Sequence, residues 1–330
     1  MDYLRVTFRV DAAPADVQRL VESVLLEQTV ETPADVAVRA PFVRDNMMGR
    51  IEDVRPASDG AFEAVLDLPT ITASVDVAQF LNVLFGNASL HERVSLVDFD
   101  APEALLERFP GPRFGVGGIR ERFGVFGRPL TCSAIKPVGL DVPHLAALCR
   151  TMALGGVDVI KDDHYLANHP TSPFRERVAA CQRVVDEVSA ARGRSVVYCP
   201  NLSGTPDAVR RQWEFARECG VRAVMVAPML LGLPSFYELI QRHIDVPVLV
   251  HPSFAGSTRI GADTLIGKLL RLFGGDAVIF ANYGGRFSYD AEVCAAIARR
   301  LREPWHHVAP SMPVPAGGMT VERTRELVDF

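Results

Sequence analysis

Lysine is almost missing from this chain. Of its 35 basic residues only three are lysines, Lys136, Lys161 and Lys268, and arginine fills every other basic position. Arginine supplies a permanent charge, whereas the lysine amine also changes protonation state and forms covalent bonds. The three lysines therefore predict places where a primary amine is needed.

Other absences exclude whole classes of protein. The net charge is -5 and the pI about 5.9, so no basic face favours nucleic acid. No apolar run approaches the ~20 residues of a membrane span. The opening MDYLRVTFRV has alternating charges and no signal-peptide core. We therefore expect a cytoplasmic protein that binds neither nucleic acid nor membrane.

The six cysteines show no CxxC spacing, and several lie in apolar or helical stretches. This pattern predicts reduced, mostly buried thiols rather than disulfides or a zinc ribbon. No GxGxxG motif follows a first strand either, which disfavours a doubly wound dinucleotide-binding sheet.

The first third of the chain has the pattern of a small α+β domain. Residues 3–10 and 61–69 alternate apolar and polar side chains, as half-buried strands do. Residues 17–25 place their apolar side chains on one helical face, and residues 77–86 are also helix-like. We assign residues 1–125 to this domain and expect it to be ferredoxin-like.

From residue 126 to residue 330 short apolar runs alternate with amphipathic helical stretches. The seven runs are LTCSAI, VDVI, VVYC, AVMVA, VPVLV, AVIFA and MPVPA. This alternation predicts a parallel sheet and a (β/α)8 TIM barrel. A seventh helix ends at Phe330 without an eighth strand, so we expect a catalytic barrel domain truncated after its seventh unit.

Polar side chains follow most of these runs, at the barrel end where active sites lie. A single polar residue after a strand is usually only part of a loop, but several that converge on one face indicate a site. The polar residues concerned are Lys136, Lys161, Asp163, His164, Asn201 and His251, and the last run is followed by Gly317 and Gly318. Lys268 precedes the sixth run, and Asp162 alternates away from its neighbours.

Two chemistries suit Lys161. It could form a Schiff base with a carbonyl substrate, although adjacent carboxylates keep an ammonium charged. Alternatively, its amine could take up CO2 as a carbamate, an anionic oxygen ligand. With Asp163 and His164 the carbamate would then bind a divalent cation such as Mg²⁺.

Several motifs together resemble the ribulose-bisphosphate carboxylase large-subunit superfamily, and most closely its non-carboxylating RuBisCO-like proteins. GGVDVIKDDH resembles the family motif GGxDxxKDDE, and FGRPLTCSAIKPVGL resembles GRPLLGxxxKPKLGL. Further similar segments are LLEQTVET, FPGPRFGVGGIRE, TLIGKL and MPVPAGGM. The resemblance extends over nearly the whole chain.

The resemblance implies a role for each matching residue. A carbamylated Lys161, Asp163 and His164 would bind Mg²⁺, and Lys136 and His251 would transfer protons. Lys268 would lie on a mobile loop that closes over the site, and Glu27 would reach the active site of the partner in a homodimer. The substrate contacts would be Gly317 and Gly318, at a phosphate-binding turn, and Asn82.

The departures from the family pattern are informative. His164 replaces the family's metal-ligand Glu, Val138 replaces the second lysine of KPK, and Pro252 replaces a phosphate-binding Arg. A second catalytic His maps near Gly261, and Ala316 replaces the Ser of SGG. These losses argue against CO2 fixation and favour a substrate with one phosphate.

The expected function is therefore Mg²⁺-dependent enolisation of a phosphorylated keto sugar or oxo-sugar acid, followed by isomerisation or decarboxylation. One alternative is an isomerase or enolase of methylthio-sugar phosphates in methionine salvage. Another is a catalytically inactive, truncated relative. A Schiff-base aldolase is the least favoured hypothesis.

Overall fold

The computed structural model describes residues 2–73, 76–287 and 289–329. Contacts along the chain divide it into two compact units. The amino-terminal unit contains Met1–Pro110, Ala255–Leu265 and His306–Val308, and the carboxy-terminal unit contains the rest. The sequence-based division at residues 125 and 126 stays a prediction.

The amino-terminal unit contains an antiparallel sheet. Its elements are β1 Tyr3–Val10, α1 Val17–Glu27, α2 Ala34–Ala37, α3 Pro41–Asn46, β2 Arg50–Pro56, β3 Phe62–Pro69, α4 Val77–Phe85, a 3-10 helix Asn87–Leu90, β4 Val94–Asp100 and α5 Glu103–Leu106. The strand order is β2-β3-β1-β4. The alternating side chains of β1 are buried at every second position, as the sequence predicts.

The carboxy-terminal unit alternates strands and helices. Its elements are α6 Gly115–Phe123, β5 Cys132–Ile135, α7 Val142–Leu154, β6 Val159–Asp162, α8 Phe174–Arg192, β7 Val197–Cys199, β8 Asn201–Leu202, α9 Pro206–Glu218, β9 Val224–Val226, α10 Pro228–Leu231, α11 Leu233–Arg242, β10 Val248–Val250, α12 Leu270–Leu272, β11 Ala277–Ala281, α13 Ala291–Arg302, β12 Met312–Ala316 and α14 Thr324–Asp329. A π-helix, Asp263–Leu269, runs directly into α12.

The strands of this unit are parallel and follow one another in chain order. One sheet is β5-β6-β7, and the other is β8-β9-β10-β11-β12. Only Pro200 separates β7 from β8, and its carbonyl oxygen accepts a hydrogen bond from the Met225 amide. All seven apolar runs form strands where the sequence predicts them, and the α/β class is confirmed. Because the strands are parallel, their carboxyl ends share one edge.

The carboxy-terminal unit has an apolar core of its own. Side chains from one face of the strands, such as Val159, Met225 and Leu249, pack with Ile119 and Phe123 of α6. Among the described residues, no helix combines the length and the apolar character that a membrane span requires.

Asp158 fixes the amino end of β6. Its buried carboxylate accepts hydrogen bonds from Arg128 at 2.7 Å, from the Thr131 amide at 2.8 Å, and from Arg194. Burial opposes ionisation, but these donors outweigh it and hold the pKa of Asp158 well below its usual range. The register of β6 is thus fixed at the end opposite to Lys161.

We predict that Asp158→Asn lowers the free energy of unfolding by about 1–3 kcal/mol, since buried donors lose a charged acceptor. Urea unfolding at pH 7 measures this. The control is Asp207→Asn in α9, whose exposed carboxylate pairs with Arg210 and Arg211, and which we expect to change stability little. An equal loss in the two variants would contradict the prediction.

Candidate active site

Strand β6 and the residue after it carry three charged side chains of the candidate site. Lys161 is half-buried, whereas Asp162 and Asp163 are buried. Side chains alternate along a strand, so Lys161 and Asp163 share one face and Asp162 takes the other. Asp162 accordingly contacts Arg177 of α8 and Tyr198 of β7. The prediction that Asp162 turns away from the site is consistent with these contacts.

Lys136 meets Asp163 beyond the ends of β5 and β6. Its Nζ lies 2.6 Å from Asp163 Oδ2. Burial opposes ionisation of Asp163, but the hydrogen bonds from Lys136 and from the Tyr165 amide outweigh it and lower its pKa. The structure therefore brings together two predicted site residues as an ion pair.

His164 lies between Asp163 and His251. Its Nδ1 is 3.5 Å from Asp163 Oδ1, and its ring stacks on His251 with centroids 4.0 Å apart and planes at 15°. Burial lowers the pKa of His164, with Lys161 and Lys136 adding to the effect and Asp163 opposing it. The neutral imidazole is thus favoured, which is the form that binds metals.

His251 follows β10 and has a defined tautomer. Its Nδ1 accepts a hydrogen bond from the Ser253 amide at 3.2 Å and lies 2.8 Å from Ser253 Oγ. A backbone amide can only donate, so the proton of the neutral ring is assigned to Nε2. Burial, aided by His164 and Lys161, lowers the pKa of His251 to about 3. His251 is therefore a neutral hydrogen-bond donor at pH 7.

A divalent cation fits this set of donors only if Lys161 contributes. Within the part of the chain that the structure describes, no group of three His, Cys, Asp or Glu side chains could hold a metal. Asp163 and His164 supply an oxygen and a nitrogen 3.5 Å apart. A carbamate on Lys161 would be the third ligand, and Lys136 already places a positive charge against Asp163. With Lys161 carbamylated, the carbamate and Asp163 oxygens would suit Mg²⁺, and the imidazole also accepts softer metals.

The turn after β12 contains the two predicted phosphate-binding glycines. Gly317 and Gly318 have backbone φ angles of 93° and 66°, which residues other than glycine rarely adopt. A Cβ on Gly318 would lie 2.8 Å from the Gly284 carbonyl oxygen, so the two loops pack backbone to backbone. Arg323 donates to the Gly318 carbonyl at 3.0 Å. The turn is therefore too narrow for a side chain at Gly318.

The expected position of Lys268 is wrong. Instead of a mobile loop, it lies in the π-helix that precedes β11, and only 6% of it is exposed. Its Nζ lies 5.4 Å from the centroid of the Trp305 ring. TLIGKL resembles the family's loop only as a short segment of sequence, whereas the apolar spacing of Leu265, Ile266 and Leu269 is helical. Its catalytic role stays a prediction.

Glu27 and Asn82 belong to the amino-terminal unit. They line a cavity of about 200 Å³ in that unit. Asn87 Nδ2 donates to Glu27 Oε1 at 2.7 Å, and Gln28 Nε2 donates to the Asn82 carbonyl at 3.1 Å. These two predicted residues are thus near each other, and their roles stay predictions.

Sequence reasoning missed three residues that organise the site: Arg177, Tyr198 and Ser253. Arg177 has a visible signal, because it falls within the apolar face of α8 beside Phe174 and Val178. A charged residue at such a position needs a buried partner. Ser253 has no comparable signal, since its contact to His251 depends on the turn after β10.

The chain is similar in sequence and structure to several known proteins. Residues 115–330 match the family model of the ribulose bisphosphate carboxylase large chain, catalytic domain. A ribulose bisphosphate carboxylase-like protein 1 from Rhodopseudomonas palustris is 44% identical over 98% of this chain and 88% of its own length. A 5-methylthioribulose-1-phosphate isomerase from Rhodospirillum rubrum is 42% identical over 99% and 87%. The crystal structure of a Rubisco-like protein from Rhodopseudomonas palustris matches with a TM-score of 0.94 and 40% identity, covering 100% of this chain and 91% of that one.

The lowered pKa of His251 predicts a pH dependence of stability. The pKa of the folded ring is about 3, whereas an unfolded histidine has its ordinary pKa of about 6.5. The unfolded state therefore binds more protons between these values, and stability falls as pH decreases from about 6.5. The contribution has a slope of at most about 1.4 kcal/mol per pH unit.

We expect His251→Asn to flatten the profile of unfolding free energy between pH 4 and 6.5, measured by urea unfolding in EDTA. The wild-type protein under the same conditions is the reference, because the groups away from the stacked rings of His164 and His251 titrate equally in the two proteins. Parallel profiles would show that His251 is protonated as readily in the folded chain as in the unfolded one.

Proposed function

The chain belongs to the ribulose bisphosphate carboxylase large-chain family, and we propose that it is a RuBisCO-like enzyme that enolises a phosphorylated keto sugar without fixing CO2. The observation that carries this proposal is the cluster of Lys136, Lys161, Asp163, His164 and His251 at the carboxyl ends of parallel strands. Such a cluster combines metal ligands with groups that hold protons, which enolisation requires.

We propose a methylthio-sugar phosphate, rather than an oxo-sugar acid, as the substrate class. The support is the relative from Rhodospirillum rubrum, which is named a 5-methylthioribulose-1-phosphate isomerase and is similar over 99% of this chain. The reaction proposed is therefore an isomerisation that begins with removal of a proton next to the carbonyl. An enolase reaction on a related diketo sugar phosphate is the alternative.

The Lys161 amine would add to the carbon of CO2 and release a proton, which gives an anionic carbamate. With Asp163 and His164 it would hold Mg²⁺, the cofactor proposed. When bound, Mg²⁺ would polarise the substrate carbonyl and thereby acidify the adjacent C–H group. Lys136 would exchange its contact with Asp163 for one with the substrate.

Two residues, His251 and Lys136, would transfer protons. His251 carries its proton on Nε2, so it suits donation to a substrate oxygen rather than removal of a proton from carbon. Lys136 is the candidate for the base once it has left Asp163, because a carboxylate beside an ammonium keeps it charged. This assignment leaves His251 as the group that stabilises the oxygen as charge develops on it.

The substrate phosphate would bind the amide groups of the turn at Gly317 and Gly318, since consecutive backbone amides favour anions. Pro252 stands where the family has a phosphate-binding Arg, which leaves this turn as the proposed phosphate site. A substrate with one phosphate is thus favoured over a bisphosphate. Ala316, in place of a serine, agrees with that preference.

We further propose that residues 126–330 belong to a (β/α)8-type TIM barrel domain. Residues 1–125 would be the ferredoxin-like domain of the family. Two copies would associate as a homodimer, with Glu27 reaching the partner's active site, and Asn82 would contact the substrate. Lys268 would then act from its helix, and not from a closing loop.

We predict that the protein isomerises 5-methylthioribulose 1-phosphate in the presence of bicarbonate and Mg²⁺, with substrate proton exchange observed by NMR in D2O. Lys161→Arg keeps the positive charge but cannot form the carbamate, so kcat/KM should fall by about 10²–10⁴-fold.

Two controls define the outcome. EDTA in CO2-free buffer should abolish exchange in the wild-type protein, and ribulose 1,5-bisphosphate should not be carboxylated. Activity of Lys161→Arg equal to wild type would overturn the carbamate proposal. Exchange without isomerisation would favour the enolase alternative.

A further inference from the structure

A buried ion pair lies behind the candidate site. Asp162 accepts hydrogen bonds from Tyr198 Oη at 2.8 Å, from Arg177 Nε at 3.1 Å and from the Asn201 amide at 3.1 Å. The side chains of Asp162 and Arg177 are both fully buried. Buried charges are tolerated only when their polar atoms are satisfied, so the remaining donors of Arg177 must have partners too.

Those partners are all in the loop of residues 163–172, which carries Asp163 and His164. Arg177 Nη1 donates to the carbonyls of Ala167 at 3.0 Å and Ser172 at 2.7 Å. Its Nη2 donates to the Leu166 carbonyl at 3.2 Å. One guanidinium thus fixes three carbonyl groups of this loop.

Asn201 adds a hydrogen bond to the backbone of His164, a candidate metal ligand. It forms β8 with Leu202, and only 2% of it is exposed. Its Nδ2 donates to the carbonyl of His164 at 3.0 Å and, less directly, to that of Leu166 at 3.4 Å. Asn201 therefore holds the backbone of His164 itself, whose ring is held from another direction by the stack on His251.

We propose that Asn201 is a positioning residue for the metal site. It fixes the His164 backbone so that the imidazole and the Asp163 carboxylate converge, and Arg177 fixes the rest of the same loop. The proposal rests on the proposed function, because it needs Asp163 and His164 to act as ligands. Groups that orient ligands in this way typically contribute ten- to a hundredfold to metal affinity.

Asn201 is the residue to change, because it is neutral. Loss of Arg177 would leave the Asp162 carboxylate buried without its counter-charge, which would destabilise the whole unit. Asn201→Ala removes only the side-chain amide, so the His164 carbonyl loses its donor while the Leu166 carbonyl keeps Arg177. Asn201→Ser is a second variant, with a hydroxyl that reaches less far, and serves if the alanine variant does not fold.

Ser311→Ala is a matched control. The Ser311 side chain is also fully buried and donates to a backbone carbonyl, that of Gly275 at 2.7 Å. Ser311 precedes β12 and so lies at the opposite end of the parallel strands from the site. Ser311→Ala therefore removes a buried hydrogen bond from a side chain to a carbonyl, as Asn201→Ala does, but away from the loop of residues 163–172.

The experiment measures Mn²⁺ binding to the full chain in bicarbonate buffer, with free Mn²⁺ counted by electron paramagnetic resonance. Mn²⁺ is the probe because it accepts the same oxygen and imidazole ligands as the proposed site. Urea unfolding confirms that each variant is folded under the conditions of the titration.

We expect the Kd for Mn²⁺ to rise about ten- to a hundredfold in Asn201→Ala and in Asn201→Ser, and to stay within about twofold of wild type in Ser311→Ala. Equal affinity of wild type and the folded Asn201 variants would overturn this inference and leave the proposed function intact. No Mn²⁺ binding by the wild-type protein would overturn the proposed metal site, and the inference with it.

Discussion

The buried ion pair of Asp162 and Arg177 is the interaction on which the candidate site depends. Removing these two charges from water costs several kcal/mol for each ion, and their attraction offsets that cost only if every polar atom has a partner. Here the Asp162 carboxylate also accepts hydrogen bonds from Tyr198 and from the Asn201 amide. The Arg177 guanidinium also donates hydrogen bonds to three carbonyls of the loop. Because each buried polar atom of the pair needs a hydrogen-bond partner, the pair also orders the loop that carries Asp163 and His164.

The site as described combines one ion pair with two neutral imidazoles. The Lys136 ammonium faces the Asp163 carboxylate at 2.6 Å, and two imidazoles with lowered pKa stack beside them. Carbamylation of Lys161 would change that residue from a cation to an anion. The added negative charge would attract a divalent cation to Asp163 and His164, and Lys136 would then be released toward the substrate. Uptake of CO2 and of metal would therefore be coupled through the charge of one lysine.

The sequence predicted the elements well wherever a single periodicity decided them. The seven apolar runs became parallel strands, and the alternation of β1 and the helical face of Val17, Leu20 and Val21 were confirmed. Once the strands were placed, the position of Lys136, Asp163 and His164 at one edge followed from the parallel direction. Local patterns predict the type of each element because each strand or helix buries one face, which gives its apolar residues a characteristic spacing.

The rest depended on contacts between distant residues. Lys268 matched a loop motif by its letters, but the helix around it buries its side chain. The stack of His164 on His251 joins residues from two different strand ends, and the tautomer of His251 depends on the turn at Ser253. The role of Asn201 in holding the His164 carbonyl also needs three-dimensional distances.

The central claim is that Lys161 becomes a carbamate ligand. The most direct measurement is a ¹³C NMR titration of the purified chain with labelled bicarbonate and Mg²⁺, with Lys161→Arg alongside. The account predicts a carbamate resonance that Mg²⁺ strengthens in the wild-type protein and that the variant lacks. A folded wild-type protein without that resonance, or a variant that retains it, would contradict the account.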